Sequence, residues 1–185
     1  VPRQMSEERP YPDEPAGPVP SPPTTVEDQE GREIELRCLD AVDDREAAVA
    51  ALVDMYDRFD PADRAQGIPP TGRDRIERWL QTLLDADAIN VLAWHDDAVA
   101  GHATLVPDGE GAVELAIFVH QDYQRAGIGW HLIQHLLGEG TERGVERVWL
   151  TVERWNDAAI GLYRDVGFER TGADRFETEM SLRLA

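Results

Sequence analysis

The sequence predicts an α/β fold of mixed layers, and three features carry that expectation. Apolar spacing alternates between strand-like and helix-like periods in the order β-α-α-β-β-β-α-β-α-β-β. Within it, Val113 to His135 passes from a short β-branched run to apolar residues recurring every three or four positions, a strand feeding a helix through a tight turn. The 185 residues suit one domain with a substantial core.

The elements follow in order. Residues 1 to 33 hold eight of the twelve prolines, set among acidic side chains with few branched apolar ones. Such a stretch buries too little surface to offset its ordering entropy, so it reads as a disordered or loosely docked tail before a domain spanning 34–185. Ile34 to Leu39 alternates as a first strand, with Cys38, the single cysteine, as a small buried thiol. One cysteine allows neither an intrachain disulfide nor a cysteine metal cluster. Asp43 or Asp44 caps a helix from Arg45 to Tyr56. Phe59 to Pro70 breaks regular structure, and Thr71 caps a second helix from Arg73 to Leu84. Ile89–His95 and Ala98–Val106 form a hairpin about Asp96-Asp97. Val113 to His120 is a buried strand and a helix opens at Gly127. Arg147–Val152 is a strand, and the helix Asp157–Val166 ends at Gly167. Phe168–Thr171 and Arg175–Leu184 close the sheet.

Charge narrows the partners. Thirty-seven acidic residues face 18 basic ones, all arginine, for a net charge of −19. That balance argues against nucleic acid or an anionic membrane, both of which need a positive footprint. No apolar run nears the ~20 residues of a membrane span and no secretory leader is visible, so a soluble, cytoplasmic protein is expected. The acidity and the absence of lysine are similar to those of proteins from salt-loving (halophilic) organisms, where concentrated salt screens carboxylate repulsion.

The stretch Gln124-Arg125-Ala126-Gly127-Ile128-Gly129 opens the helix with two glycines. The first N–H groups of a helix lack intrahelical partners and sit at its positive end, which suits an anion such as a diphosphate. Alone this pattern also fits a plain turn. A dinucleotide fingerprint needs glycine where Leu132 stands, and a P-loop needs a lysine that the chain lacks.

Gln124, Gly127 and Gly129 match the Gln/Arg-x-x-Gly-x-Gly/Ala pattern that follows a central strand in the GNAT (Gcn5-related N-acetyltransferase) family, which this chain resembles. A second block, Asn156-Asp-Ala-Ala-Ile-Gly-Leu-Tyr163-Arg-Asp-Val-Gly167-Phe168, resembles that family's Asn-x-x-Ala-x-x-x-Tyr-x-x-x-Gly-Phe block. The resemblance covers about Ile34 to Ala185. It implies a mostly antiparallel sheet with a splayed middle strand flanked by helices, and acetyl-CoA as co-substrate without a metal. It also implies an N-acetyltransferase acting on a primary amine by direct attack in a ternary complex. By the same resemblance, the main chain of Ile117, Phe118 and Val119 would pair with the pantetheine amides. The N–H groups of Gln124, Arg125, Ala126, Gly127, Ile128 and Gly129 would hold the diphosphate, Arg125 adding charge and Asn156 touching the coenzyme arm.

Acetyl transfer needs a neutral amine and a proton for the departing thiolate. Glu114, a carboxylate in an apolar strand, is the candidate base. Alternation places it on one face with Ala116 and Phe118, and the protein-lysine acetyltransferase branch carries a catalytic glutamate at this place. Tyr163 matches the family tyrosine facing the coenzyme sulfur, and a phenol is protonated at neutral pH. Asn156 is both helix cap and candidate coenzyme contact. Tyr56, Phe59, Asp60, Asp63, Arg64 and Ile68 fall where the family shapes its acceptor side. His131 and His135 read as exposed helix histidines and Trp149 as packing. The acceptor stays open between a protein lysine, an N-terminal amine and a small cationic amine. Many family members pair, so a homodimer is compatible. A non-catalytic acyl-CoA-binding sensor or interaction module is the alternative reading.

Overall fold

The computed structural model describes residues 9–64, 68–85 and 87–185. Its strands are β1 (Thr24–Glu27), β2 (Glu33–Cys38), β3 (Ile89–His95), β4 (Ala98–Pro107), β5 (Val113–Val119), β6 (Arg147–Glu153), β7 (Glu169–Ala173) and β8 (Glu177–Arg183). Its helices are α1 (Arg45–Asp57), α2 (Arg73–Leu83), α3 (Ile128–Glu142) and α4 (Asp157–Val166). One eight-stranded sheet runs β1-β2-β3-β4-β5-β6-β8-β7, and every neighbouring pair is antiparallel except β5 with β6. The expected mixed α/β layers are present.

Strand alternation divides the core between the two faces of the sheet. Leu115 of β5 packs with Leu132, Ile133 and Leu136 of α3 and with Ile160 and Tyr163 of α4. On the other face Phe118 joins Leu52 and Tyr56 of α1 and Ile76 and Leu80 of α2. Each fully buried leucine or isoleucine in these clusters contributes about 1.5–3 kcal/mol.

Local signals explain the boundaries. Asp44 accepts the Ala47 N–H at 3.0 Å and starts α1. Gly167 closes α4 at φ 122°, a conformation that side chains disfavour. The expected Thr71 cap is corrected: Gly72, at φ 91°, turns the chain into α2 and no side chain caps it.

The proline-rich segment differs most from its expectation. Residues 1–8 lie outside the described residues, but 9–33 follow the domain surface and contribute β1. The Ala16 N–H bonds to Arg183 O at 2.7 Å, and Ala16, Val19 and Val26 pack against the α3 cluster. A Cβ on Gly138 of α3 would overlap the main chain of Pro20. Pairing at a sheet edge is a main-chain property, so β1 forms without a strong apolar pattern. The expectation of exposed helix histidines is corrected too: His135 is buried, its Nδ1–H donating to His131 O at 2.7 Å, and His131 is half-buried.

Candidate active site

The sheet opens in its middle. β5 pairs with β4 along its whole length, but with β6 only at Val113↔Val148 and Glu114↔Trp149. From Leu115 onward, among the described residues, the β6-facing edge of β5 has no strand beside it. The His120 N–H bonds to Ala100 O at 2.9 Å, so residues of that parity turn their main-chain groups toward β4. Ile117 and Val119 therefore face the opening. Phe118 is corrected as a main-chain contact: its amide belongs to the β4 ladder. Its ring packs edge-on against Tyr56, Phe59 and Trp79 instead.

Past the end of β5 the chain forms a ring of donors. Arg125 and Gly127 both adopt positive φ, 60° and 85°, and among the described residues no acceptor takes the N–H groups from Arg125 to Trp130. No acidic residue stands in the first turn of α3 to compete with an anion. Only the first of the two glycines is required by its backbone conformation. Gly127 turns left-handed, whereas a Cβ on Gly129 would make only ordinary contacts with Leu162 at 3.4 Å and Ile117 at 3.8 Å. Gln124 is corrected as a diphosphate donor: its N–H bonds to Gln121 O at 3.4 Å, and its side-chain amide braces the turn by donating to Val119 O at 2.9 Å and to Asp63 Oδ2 at 3.1 Å. Arg125 is exposed, Ala126 and Ile128 are buried.

Glu114 and Tyr163 lie on opposite faces of the sheet. Glu114 stands on the α1–α2 face, next across the strand from Trp149, and reaches solvent. Desolvation raises its carboxyl above the ordinary range, Glu177 and Asp108 push the same way, and Arg9 opposes them. Tyr163 belongs to the α3–α4 core, 8% exposed, with its ring 5.9 Å from Phe168. Among the described residues its hydroxyl has no hydrogen bond, and burial pushes its pKa up to about 12. Asn156 caps α4 through its side-chain oxygen, which accepts the Ala159 N–H at 3.2 Å, and its amide group is left for a second contact.

The residues expected on the acceptor side sort into two groups. Tyr56 and Phe59 are buried and do not line the opening. The Tyr56 hydroxyl donates to His102 Nδ1 at 2.7 Å, and His102 Nε2–H donates to Asn90 Oδ1 at 2.7 Å. That assignment follows because the Asn90 amide donates to Leu83 O. The chain of bonds ties α1, α2, β3 and β4 together on the α1–α2 face of the sheet. Ile68 is exposed, and residues 65–67 of this loop lie outside the described residues. Gln29, which the sequence did not single out, donates its N–H to Ala126 O at 2.9 Å, so the β1–β2 turn buttresses the donor ring. No local pattern announces such a long-range contact. Among the described residues no group of histidine, cysteine or acidic side chains could hold a metal ion, and no helix is long and apolar enough to cross a membrane.

The Acetyltransferase (GNAT) family profile matches residues 49–168. The ribosomal protein bS18-alanine N-acetyltransferase of Salmonella typhimurium is 39% identical over 92 residues, 50% of this chain and 56% of that protein. The chain thus spans about half the length of that relative. Among solved structures, the GNAT domain of S. lividans PAT superposes with a TM-score of 0.71 at 16% identity, over 87% of this chain and 96% of that one. A putative acetyltransferase from Salmonella typhimurium, solved with its cofactor acetyl-CoA, gives 0.64 at 22% identity, over 82% and 94%. Both likenesses concern the fold. With the matched profile covering well over half of its residues, both signature blocks included, the chain belongs to the GNAT acetyltransferase family.

Proposed function

We propose that the protein is an acetyl-CoA-dependent N-acetyltransferase that acts on a primary amine of a polypeptide, an N-terminal amine being favoured over a lysine. The observation that carries the reading is the opening between β5 and β6, followed along the chain by N–H groups at the α3 start that have no partner among the described residues. The residues fit coenzyme A. The donors from Arg125 to Gly129 suit its diphosphate, with Arg125 as a charged contact and the Asn156 amide near the arm. The free main-chain groups of Ile117 and the Val119 N–H suit its pantetheine amides. A cofactor-bound fold neighbour and a relative named for an alanine N-terminus support this choice of donor and acceptor.

When bound, acetyl-CoA supplies an acetyl thioester. Glu114 takes a proton from the acceptor ammonium, directly or through one water, and leaves the nitrogen lone pair free to attack. The C–N bond would form as the C–S bond breaks, the nitrogen releasing its second proton to water, which makes good the proton that Tyr163 gives up, while Glu114 returns its own to solvent. On the opposite face Tyr163 donates its phenolic proton to the departing thiolate. The Val119 N–H points into the opening, where it can polarise the reacting carbonyl. Residues on two faces thus divide acid from base without a metal or an acetylated side chain.

A thiol-release assay with a panel of amines, at low and molar salt, tests the reading. Glu114→Gln should slow turnover by about 10²-fold or more while leaving coenzyme A affinity nearly unchanged. Equal rates for the two proteins across pH would remove Glu114 from the mechanism. Coenzyme uptake without thiol release from any amine would favour the non-catalytic sensor.

A further inference from the structure

The described part of the N-terminal segment begins against the acceptor face. Arg9, Pro10 and Pro12 run along β8 in step with Glu179, Ser181 and Arg183. Arg9 Nε donates to Glu179 Oε1 at 2.8 Å, Ser181 Oγ donates to Pro10 O at 2.9 Å, and Arg183 Nε donates to Pro12 O at 2.8 Å. The Arg9 guanidinium lies 3.6 Å from the centre of the Trp149 ring, with Asp108 Oδ2 at 3.8 Å from its Nη1. Trp149 is held in place by its own Nε1–H, which donates to Asp108 Oδ2 at 3.0 Å. It is also the residue paired with Glu114 across the parallel ladder. The indole under the stacked cation therefore stands on the strand next to the proposed base, and Arg9 is close enough to oppose the rise in the Glu114 carboxyl.

We infer that this trough is the subsite for an acceptor polypeptide, that it selects an arginine-type cation, and that the chain's own Arg9–Pro12 segment occupies it until an acceptor displaces it. A flat guanidinium suits the place better than an ammonium, because it stacks on the indole while its edge bonds to Glu179 and Asp108. The prolines offer carbonyls and no N–H groups, so the segment accepts bonds from β8 side chains without adding a strand to the sheet. Strand geometry gives the reach. With a rise of about 3.3 Å per residue, a cation on Trp149 belongs to the second or third residue of a peptide whose amine meets Glu114. The inference rests on the proposed acetyl transfer for its role and adds to it the acceptor's chemistry.

Peptides differing only at residues two and three, carrying arginine at one of them or glutamine at both, test it in the thiol-release assay. Wild type should prefer an arginine peptide about tenfold in kcat/KM. Arg9→Ala should lower KM for that peptide about tenfold with kcat held, since an intramolecular competitor is gone. Glu179→Gln should erase the preference. Arg9→Ala should also move the acid limb of the pH profile upward, because Arg9 is the cation facing Glu114 while Asp108 and Glu177 face it as anions. Calorimetry with an N-terminally capped arginine peptide separates the two proposals. Tighter binding to Arg9→Ala than to wild type supports the trough even if no amine is acetylated. Equal rates for all peptides, or capped-peptide binding unchanged by Arg9→Ala, overturns it.

Discussion

Two buried tyrosines should respond oppositely to the loss of a hydroxyl. The Tyr56 oxygen is the donor to His102 Nδ1, deep beneath the α1–α2 face of the sheet, and both residues are 0% exposed. Tyr56→Phe leaves a buried ring nitrogen unpaired, which costs about 1–3 kcal/mol. In a domain of this size that is a fall in Tm of roughly 2–12 °C. Because Tyr56 does not reach the opening, kcat should change by no more than about twofold. The Tyr163 hydroxyl has no described partner, so Tyr163→Phe removes no hydrogen bond from the free protein. Its stability should stay within about 0.5 kcal/mol of wild type, while kcat falls by about 10²-fold or more. Thermal melts and thiol-release kinetics on both variants read all four quantities. A Tyr163→Phe enzyme that is equally fast, or one that is slow only because it is unfolded, would refute the assignment of the proton donor.

Three other outcomes follow from the same structure. The raised carboxyl of Glu114 must ionise before it can accept a proton, so kcat/KM should climb with pH through a limb above the ordinary glutamate value that Glu114→Gln lacks. Tyr163, pushed up to about 12, should add no alkaline fall below about pH 11. His102 is held neutral by burial, its pKa lowered from 6.5 to about 3. The unfolded chain takes that proton first, so stability is full above pH 6.5 and lost toward pH 3 at up to about 1.4 kcal/mol per unit. Denaturant titrations of wild type and His102→Asn should show the slope shrinking in the variant, and parallel slopes would contradict it. With a net charge of −19, the melting temperature should rise with KCl into the molar range, and a flat or falling curve would count against adaptation to salt.

Periodicity is a local signal, and the elements written in it were legible. The order from β2 to β8, the Asp44 and Asn156 caps and the closing Gly167 were readable within a residue or two. The face of each strand was readable too, which put Glu114 and Phe118 together. Which neighbour receives the Phe118 amide was not, because that depends on the ladder with β4 and not on alternation. β1 escaped for a related reason, since it is held by main-chain pairing with β2 and carries little apolar pattern of its own. The same limit applies to Gln29 at Ala126 and Arg9 on Trp149, contacts made across most of the chain by residues in a proline-rich segment. Tyr56 illustrates the opposite case. Its helix position marked it as inward, and the buried His102 beneath it shows why it could not also line the opening.

Calorimetric titration with coenzyme A and with pantetheine, which lacks the diphosphate, tests the central claim most directly. The account predicts one coenzyme A per chain, much weaker uptake of pantetheine, and a loss of about tenfold in coenzyme A affinity for Gly127→Ala, whose φ of 85° a side chain disfavours. Absence of coenzyme A binding at low and molar salt, or equal affinity for the two ligands, would contradict it.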